Sequence, residues 1–163
     1  MTVLVAVASK HGSTRGIADA IAGELRSLGL AADVGEVADV VDPGHYEAVV
    51  LGSAVYMGKW MPEARRFVDT HRSVLDTVPV WLFSSGPLGA DDPKPAGDPA
   101  QLDQLMAATH AHGHRIFSGK LDPNGLGRSE RLIAKAVHAP SGDFRDWDAI
   151  RAWAREIGAR LHA

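Results

Sequence analysis

Between an apolar run and an amphipathic one, the chain carries Ser9-Lys10-His11-Gly12-Ser13-Thr14, a cluster of hydroxyls around a glycine. Val3 to Ala8 is too short and too branched for a helix, and its lack of polar alternation predicts a strand covered on both faces. Ile17, Ile21, Leu25 and Leu28 then recur at helical spacing, and Gly29 is placed to end that helix. A strand that turns straight into a helix offers free backbone N–H groups and the positive end of a helix dipole, which together favour a phosphate. Ser9, Ser13 and Thr14 add hydroxyl donors, and Gly12 lets the main chain come close to a ligand. The spacing is neither that of a Walker A loop nor a Gly-x-Gly-x-x-Gly fingerprint.

Two further loops have chemistry of their own. Ser53-Ala54-Val55-Tyr56-Met57-Gly58-Lys59-Trp60 joins a flexible glycine to two aromatic rings, either of which, Tyr56 or Trp60, could stack on a flat ring system. Ser84-Ser85-Gly86-Pro87-Leu88-Gly89 is small and glycine-rich, so its backbone could line the edge of such a ring. Each follows a predicted strand, Ala48–Ser53 and Val78–Ser84. His110, His112 and His114 alternate, yet they straddle a helix end and a strand start, which argues against a shared metal.

The elements between these loops alternate. A weaker second strand spans 31–37, where Asp33, Gly35 and Glu36 suit a sheet edge. Pro62 opens a helix with the stripe Ala64, Phe67, Val68, His71 and Leu75, and a further helix runs from Gln101 to Ala111. A fifth strand is predicted over Arg115–Leu121, then a short basic amphipathic helix over 129–137. A final helix is capped by Asp146 and buries Trp147, Ile150, Trp153, Ile157 and Leu161. This alternation predicts a single α/β domain over 1–163, a doubly wound five-stranded parallel sheet in the order 2-1-3-4-5. Ligands of such sheets sit at the carboxyl ends of the strands, where the three loops lie.

Composition narrows the function. The 163 residues are 45% hydrophobic and 23% charged, with net charge -3 and no long block of one sign, which disfavours nucleic acid. Cysteine is absent, so disulfides, thiolate metal sites and a cysteine nucleophile are excluded, and redox chemistry falls to a cofactor. With no leader-like start and no apolar run of spanning length, the expectation is a cytoplasmic protein without a transmembrane segment.

The hydroxyl-rich first loop, the order of elements and the other two loops resemble flavodoxins. The short helix after the fifth strand, followed by Gly142-Asp143-Phe144-Arg145-Asp146-Trp147-Asp148 and a terminal helix with Trp153, is similar to the flavodoxin-fold protoporphyrinogen dehydrogenase family. The resemblance implies FMN, its phosphate held by Ser9, Lys10, His11, Gly12, Ser13 and Thr14. Its ring would lie between Ser53, Ala54, Val55, Tyr56, Met57, Gly58 and Trp60 on one side and Ser84, Ser85, Gly86, Pro87, Leu88 and Gly89 on the other. His11 stands where flavodoxins usually place a hydroxyl residue, so one phosphate contact would come from imidazole. No catalytic side chain or metal is implied, since flavin does the redox chemistry. Three functions fit: an FMN oxidoreductase or electron carrier with a protein, quinone or small-molecule partner; a protoporphyrinogen IX dehydrogenase using a quinone or other acceptor; or a flavin-free binding module on the same fold. The basic helix leaves room for peripheral membrane contact.

Overall fold

The structure, a computed structural model, describes residues 1–9, 13–56, 59–85, 102–117, 120–121, 142–143 and 146–162. Its strands are β1 (Thr2–Ala8), β2 (Ala31–Glu36), β3 (Ala48–Tyr56), β4 (Lys59–Trp60), β5 (Val80–Ser85), β6 (His114–Phe117), β7 (Lys120–Leu121) and β8 (Gly142–Asp143). Its helices are α1 (Ser13–Ser27), α2 (Pro62–Thr70), α3 (Arg72–Leu75), α4 (Leu102–Thr109) and α5 (Trp147–His162).

β1 sits inside the sheet because both of its faces are apolar. Val3, Val5 and Val7 join one core cluster with α1 and α5, while Leu4, Ala6 and Ala8 join another with α2 and α4. The parallel strands run in the order β2-β1-β3-β5-β6, so, among strands of the main parallel ladder, the predicted 2-1-3-4-5 order holds. Short β4 pairs antiparallel with β3, and β7 with β8, neither of which the sequence pattern announced.

Helix ends follow their caps. Gly29 has φ +90, the Gly29 N–H bonds the Arg26 carbonyl at 3.0 Å and the Leu30 N–H bonds the Leu25 carbonyl at 3.1 Å, which closes α1 as a Schellman motif. Leu28, expected in the helical stripe, therefore falls just beyond α1. Asp146 Oδ1 accepts the Ala149 N–H at 3.0 Å, capping α5 as predicted.

Three boundaries differ from the sequence reading. His71 leaves helical geometry (φ -109, ψ 22) and splits the expected single helix into α2 and α3, its ring resting on Phe67 at 4.8 Å. Pro79 stays outside β5, since it has no N–H for the ladder; its carbonyl instead accepts the Val49 N–H at 3.0 Å. Among the described residues, the fifth parallel strand runs from His114 to Phe117, in register with Leu82 to Ser85, and Lys120–Leu121 pairs antiparallel with Gly142–Asp143. The predicted basic helix at 129–137 lies outside the described residues.

Candidate functional site

The registers Ala8↔Ser53, Ser53↔Ser84 and Ala54↔Ser85 put the carboxyl ends of β1, β3 and β5 side by side. All three loops therefore leave one edge of the sheet, with the N-terminus of α1 among them. Residue by residue, their hydroxyls do different work.

In the first loop, Thr14 is 2% exposed in the first turn of α1. The first turn of α1 contains no acidic residue, so the positive helix end is not neutralised from within. The Ser9 N–H bonds Glu36 Oε2 at 3.3 Å, and Arg15 Nη1 lies 3.9 Å from Glu36 Oε1. Glu36 was legible only as an edge-strand residue; its reach across to the first loop is a contact between positions 27 apart. Lys10, His11 and Gly12 lie outside the described residues, as does the side chain of Ser13.

In the second loop, Ser53 is fully buried; its Oγ donates to the Ala54 carbonyl at 2.9 Å and accepts the Met61 N–H at 3.0 Å. This ties the two ends of the loop together. Trp60, expected as a stacking ring, is 1% exposed and belongs to the core cluster of Leu4, Leu51 and Phe67. The β3–β4 pairing Val55↔Trp60 turns it inward, and its indole N–H donates to Ser84 Oγ at 2.7 Å. Ala54 and Val55 are half-buried at the loop's start, Tyr56 pairs with exposed Lys59 along the ladder, and Met57 and Gly58 lie outside the described residues.

In the third loop, Ser84 is fully buried and Ser85 is buried, while Gly86, Pro87, Leu88 and Gly89 lie outside the described residues. Ser84 Oγ also lies 2.7 Å from His114 Nε2. The Ser53 and Ser84 hydroxyls, expected to face a cofactor, thus bond inward to other parts of the protein. The three alternating histidines diverge: His110 approaches Asp76 at 3.3 Å, His112 stacks on Trp81 at 5.2 Å and His114 meets Ser84. Among the described residues, no three His, Cys, Asp or Glu side chains are grouped to hold a metal ion.

A helix N-terminus with no carboxylate in its first turn suits a phosphate monoester, and it adjoins the carboxyl ends of β1, β3 and β5. A parallel sheet in this order, with its loops gathered beside the β1–β3 switch point, defines a flavodoxin-like fold. Residues 4–148 match the flavodoxin domain family, and the chain belongs to it. It is 33% identical over 171 aligned positions to protoporphyrinogen IX dehydrogenase [quinone] of Escherichia coli K12, covering 96% of this chain and 94% of that one; the protein of E. coli O157:H7 matches equally. Among solved structures, a flavodoxin from the domain Archaea superposes with TM-score 0.67 at 16% identity, covering 100% of both chains. The Streptococcus pneumoniae TIGR4 flavodoxin gives 0.67 at 21% identity, covering 98% of this chain and 99% of that one. The rubredoxin oxygen:oxidoreductase of Desulfovibrio gigas gives 0.63 at 13% identity, covering 99% of this chain and 36% of that longer one. The chain is a flavodoxin-like oxidoreductase or electron-transfer protein. No helix among the described residues is long and apolar enough to cross a membrane.

Proposed function

We propose that this chain binds FMN and transfers electrons through it. The observation that supports this most directly is the start of α1, which places Thr14, 2% exposed, in a first helical turn without a carboxylate, beside the carboxyl ends of β1 and β3. The Ser13 and Thr14 hydroxyls, with the backbone of residues 10–14, would hold the phosphate. Tyr56 and the backbone of 54–58 would face one side of the ring, and Ser85 with the backbone of 86–89 the other. Bound FMN supplies reversible uptake of electrons, which no side chain of this chain provides. The protein's share is to bind, orient and shield from water, with Ser53 holding the second loop closed through Met61.

The substrate reading is protoporphyrinogen IX oxidation with a quinone as acceptor, in the cytoplasm at the membrane surface. It is favoured by 33% identity across nearly the whole length of the E. coli enzyme. Two measurements test the proposal in turn. The purified protein should show flavin absorption bands, and heat should release a flavin that co-elutes with FMN. Anaerobic addition of protoporphyrinogen IX should then bleach those bands, and a quinone should restore them. A colourless protein that does not take up added FMN would overturn the cofactor reading; bleaching by other donors but not by protoporphyrinogen IX would overturn the substrate alone.

A further inference from the structure

Three residues from three strands form one polar chain, buried at Trp60 and Ser84 and half-buried at His114, the first residue of β6. Trp60 Nε1 lies 2.7 Å from Ser84 Oγ, which lies 2.7 Å from His114 Nε2. Trp60 is 1% and Ser84 0% exposed, so water is not on hand to complete either residue. An indole nitrogen can only donate, which makes the Ser84 oxygen the acceptor there. The hydroxyl proton of Ser84 then needs an acceptor of its own, and His114 Nε2 is the one the structure offers it among the described residues. The imidazole must therefore present a lone pair at Nε2, which assigns its proton to Nδ1 and makes the ring neutral. The donor direction runs from Trp60 through Ser84 to His114.

What gives this chain a function is where its members lie. Trp60 closes the second loop, and Ser84 opens the third. Their hydrogen bond links the two segments that wall the flavin ring on the reading proposed above, on which this inference rests. His114, in register with Leu82 rather than in either loop, fixes which way the Ser84 hydroxyl points. We propose that His114 is a positioning residue of the flavin site, a neutral acceptor that orients the Ser84 hydroxyl so that Trp60 and Ser84 hold the second and third loops at one spacing. An apolar core at these three positions would be simpler to pack and would need no partner for any polar atom; what the polar chain adds is a directional link between the loops.

The test compares His114→Leu, which has no acceptor, with His114→Gln, whose side-chain carbonyl can accept from Ser84. FMN affinity should fall roughly tenfold in His114→Leu, the effect of one buried hydrogen bond left incomplete, and the visible circular dichroism of the bound flavin should change. His114→Gln should recover most of both. Unaltered affinity and dichroism in His114→Leu, even with a lowered apoprotein melting temperature, would reduce His114 to a purely structural role and overturn the proposal. Should His114→Leu fail to fold, Trp60→Phe decides: it breaks the link between loops, and unaltered flavin dichroism would again overturn the idea. Nitrogen-15 spectra of the parent protein at neutral pH should show His114 protonated at Nδ1 alone, and a proton on Nε2 would contradict the assigned direction. A parent protein that binds no FMN would remove the functional reading itself, a result separate from any difference among variants.

Discussion

The carboxylate of Glu36, at the end of edge strand β2, accepts the backbone N–H of Ser9 at 3.3 Å and has Arg15 Nη1 3.9 Å from its other oxygen. It fixes the entry to the first loop, but it also brings a negative charge toward the place assigned to a phosphate. Glu36→Gln keeps an acceptor for Ser9 and removes that charge. FMN should bind roughly two- to fivefold more tightly to the variant, with the gain shrinking at high salt, as expected for a partly screened interaction. Titrations by flavin fluorescence at two ionic strengths check this; weaker binding at low salt would mean that the carboxylate's charge helps to hold the loop.

Gly52 marks a close approach between β3 and an aromatic ring. A Cβ there would collide with the Phe83 ring, and Phe83 is itself flanked by Phe117 at 6.2 Å and Trp153 at 6.1 Å. Phe83 is fully buried, so Gly52→Ala should destabilise by about 1–3 kcal/mol through overpacking. Urea unfolding should show a lower midpoint with little change in slope. An unshifted midpoint would show that the ring can yield.

Tyr46 links the turn before β3 to the edge strand, its hydroxyl donating to Asp33 Oδ2 at 3.0 Å. Burial above all, then the hydrogen bond and the charge of Asp33, raise the phenol above its ordinary value of 10.0. The folded state thus keeps a proton that the unfolded chain releases. The resulting stabilisation is fully present below the unfolded value and is lost as pH rises through the folded one. Denaturation across the alkaline range should show Tyr46→Phe losing stability less steeply with pH than the parent does. Equal slopes would remove Tyr46 from the alkaline response.

Lys59, exposed and paired along the ladder with Tyr56, carries a positive charge beside the second loop. Reduced flavin is negatively charged, so a cation near the ring favours reduction. Lys59→Glu should lower the two-electron potential of the bound flavin by roughly 10–20 mV in dilute buffer, and by less at high salt. A potential unaffected at low salt would place Lys59 away from the ring.

Much of the fold was legible because it rests on local or periodic signals. The unbroken apolar run of β1 announced a strand buried on both faces, Gly29 announced the end of α1, and Asp146 announced the start of α5. Asp33, Gly35 and Glu36 marked β2 as an edge strand, and it lies at the edge. That the three loops leave one edge of the sheet followed from the same signals, since the carboxyl ends of parallel strands share one side. The direction of individual side chains did not. Trp60 reads as a loop aromatic until the two-residue pairing of β4 turns it into the core. Ser84 reads as a ligand hydroxyl until residues 24 and 30 positions away engage it. Such contacts depend on tertiary packing and leave no spacing in the sequence.

The central claim, that the first loop is a phosphate site for FMN, is tested most directly by the ratio of riboflavin to FMN dissociation constants in the parent and in Thr14→Ala. The two ligands share a ring and differ by the phosphate, so the ratio isolates what the loop contributes. The parent should bind FMN at least about a hundredfold more tightly than riboflavin, and Thr14→Ala should weaken FMN by roughly 1–3 kcal/mol while leaving riboflavin almost unaffected. Equal dissociation constants for the two ligands in the parent would contradict the account.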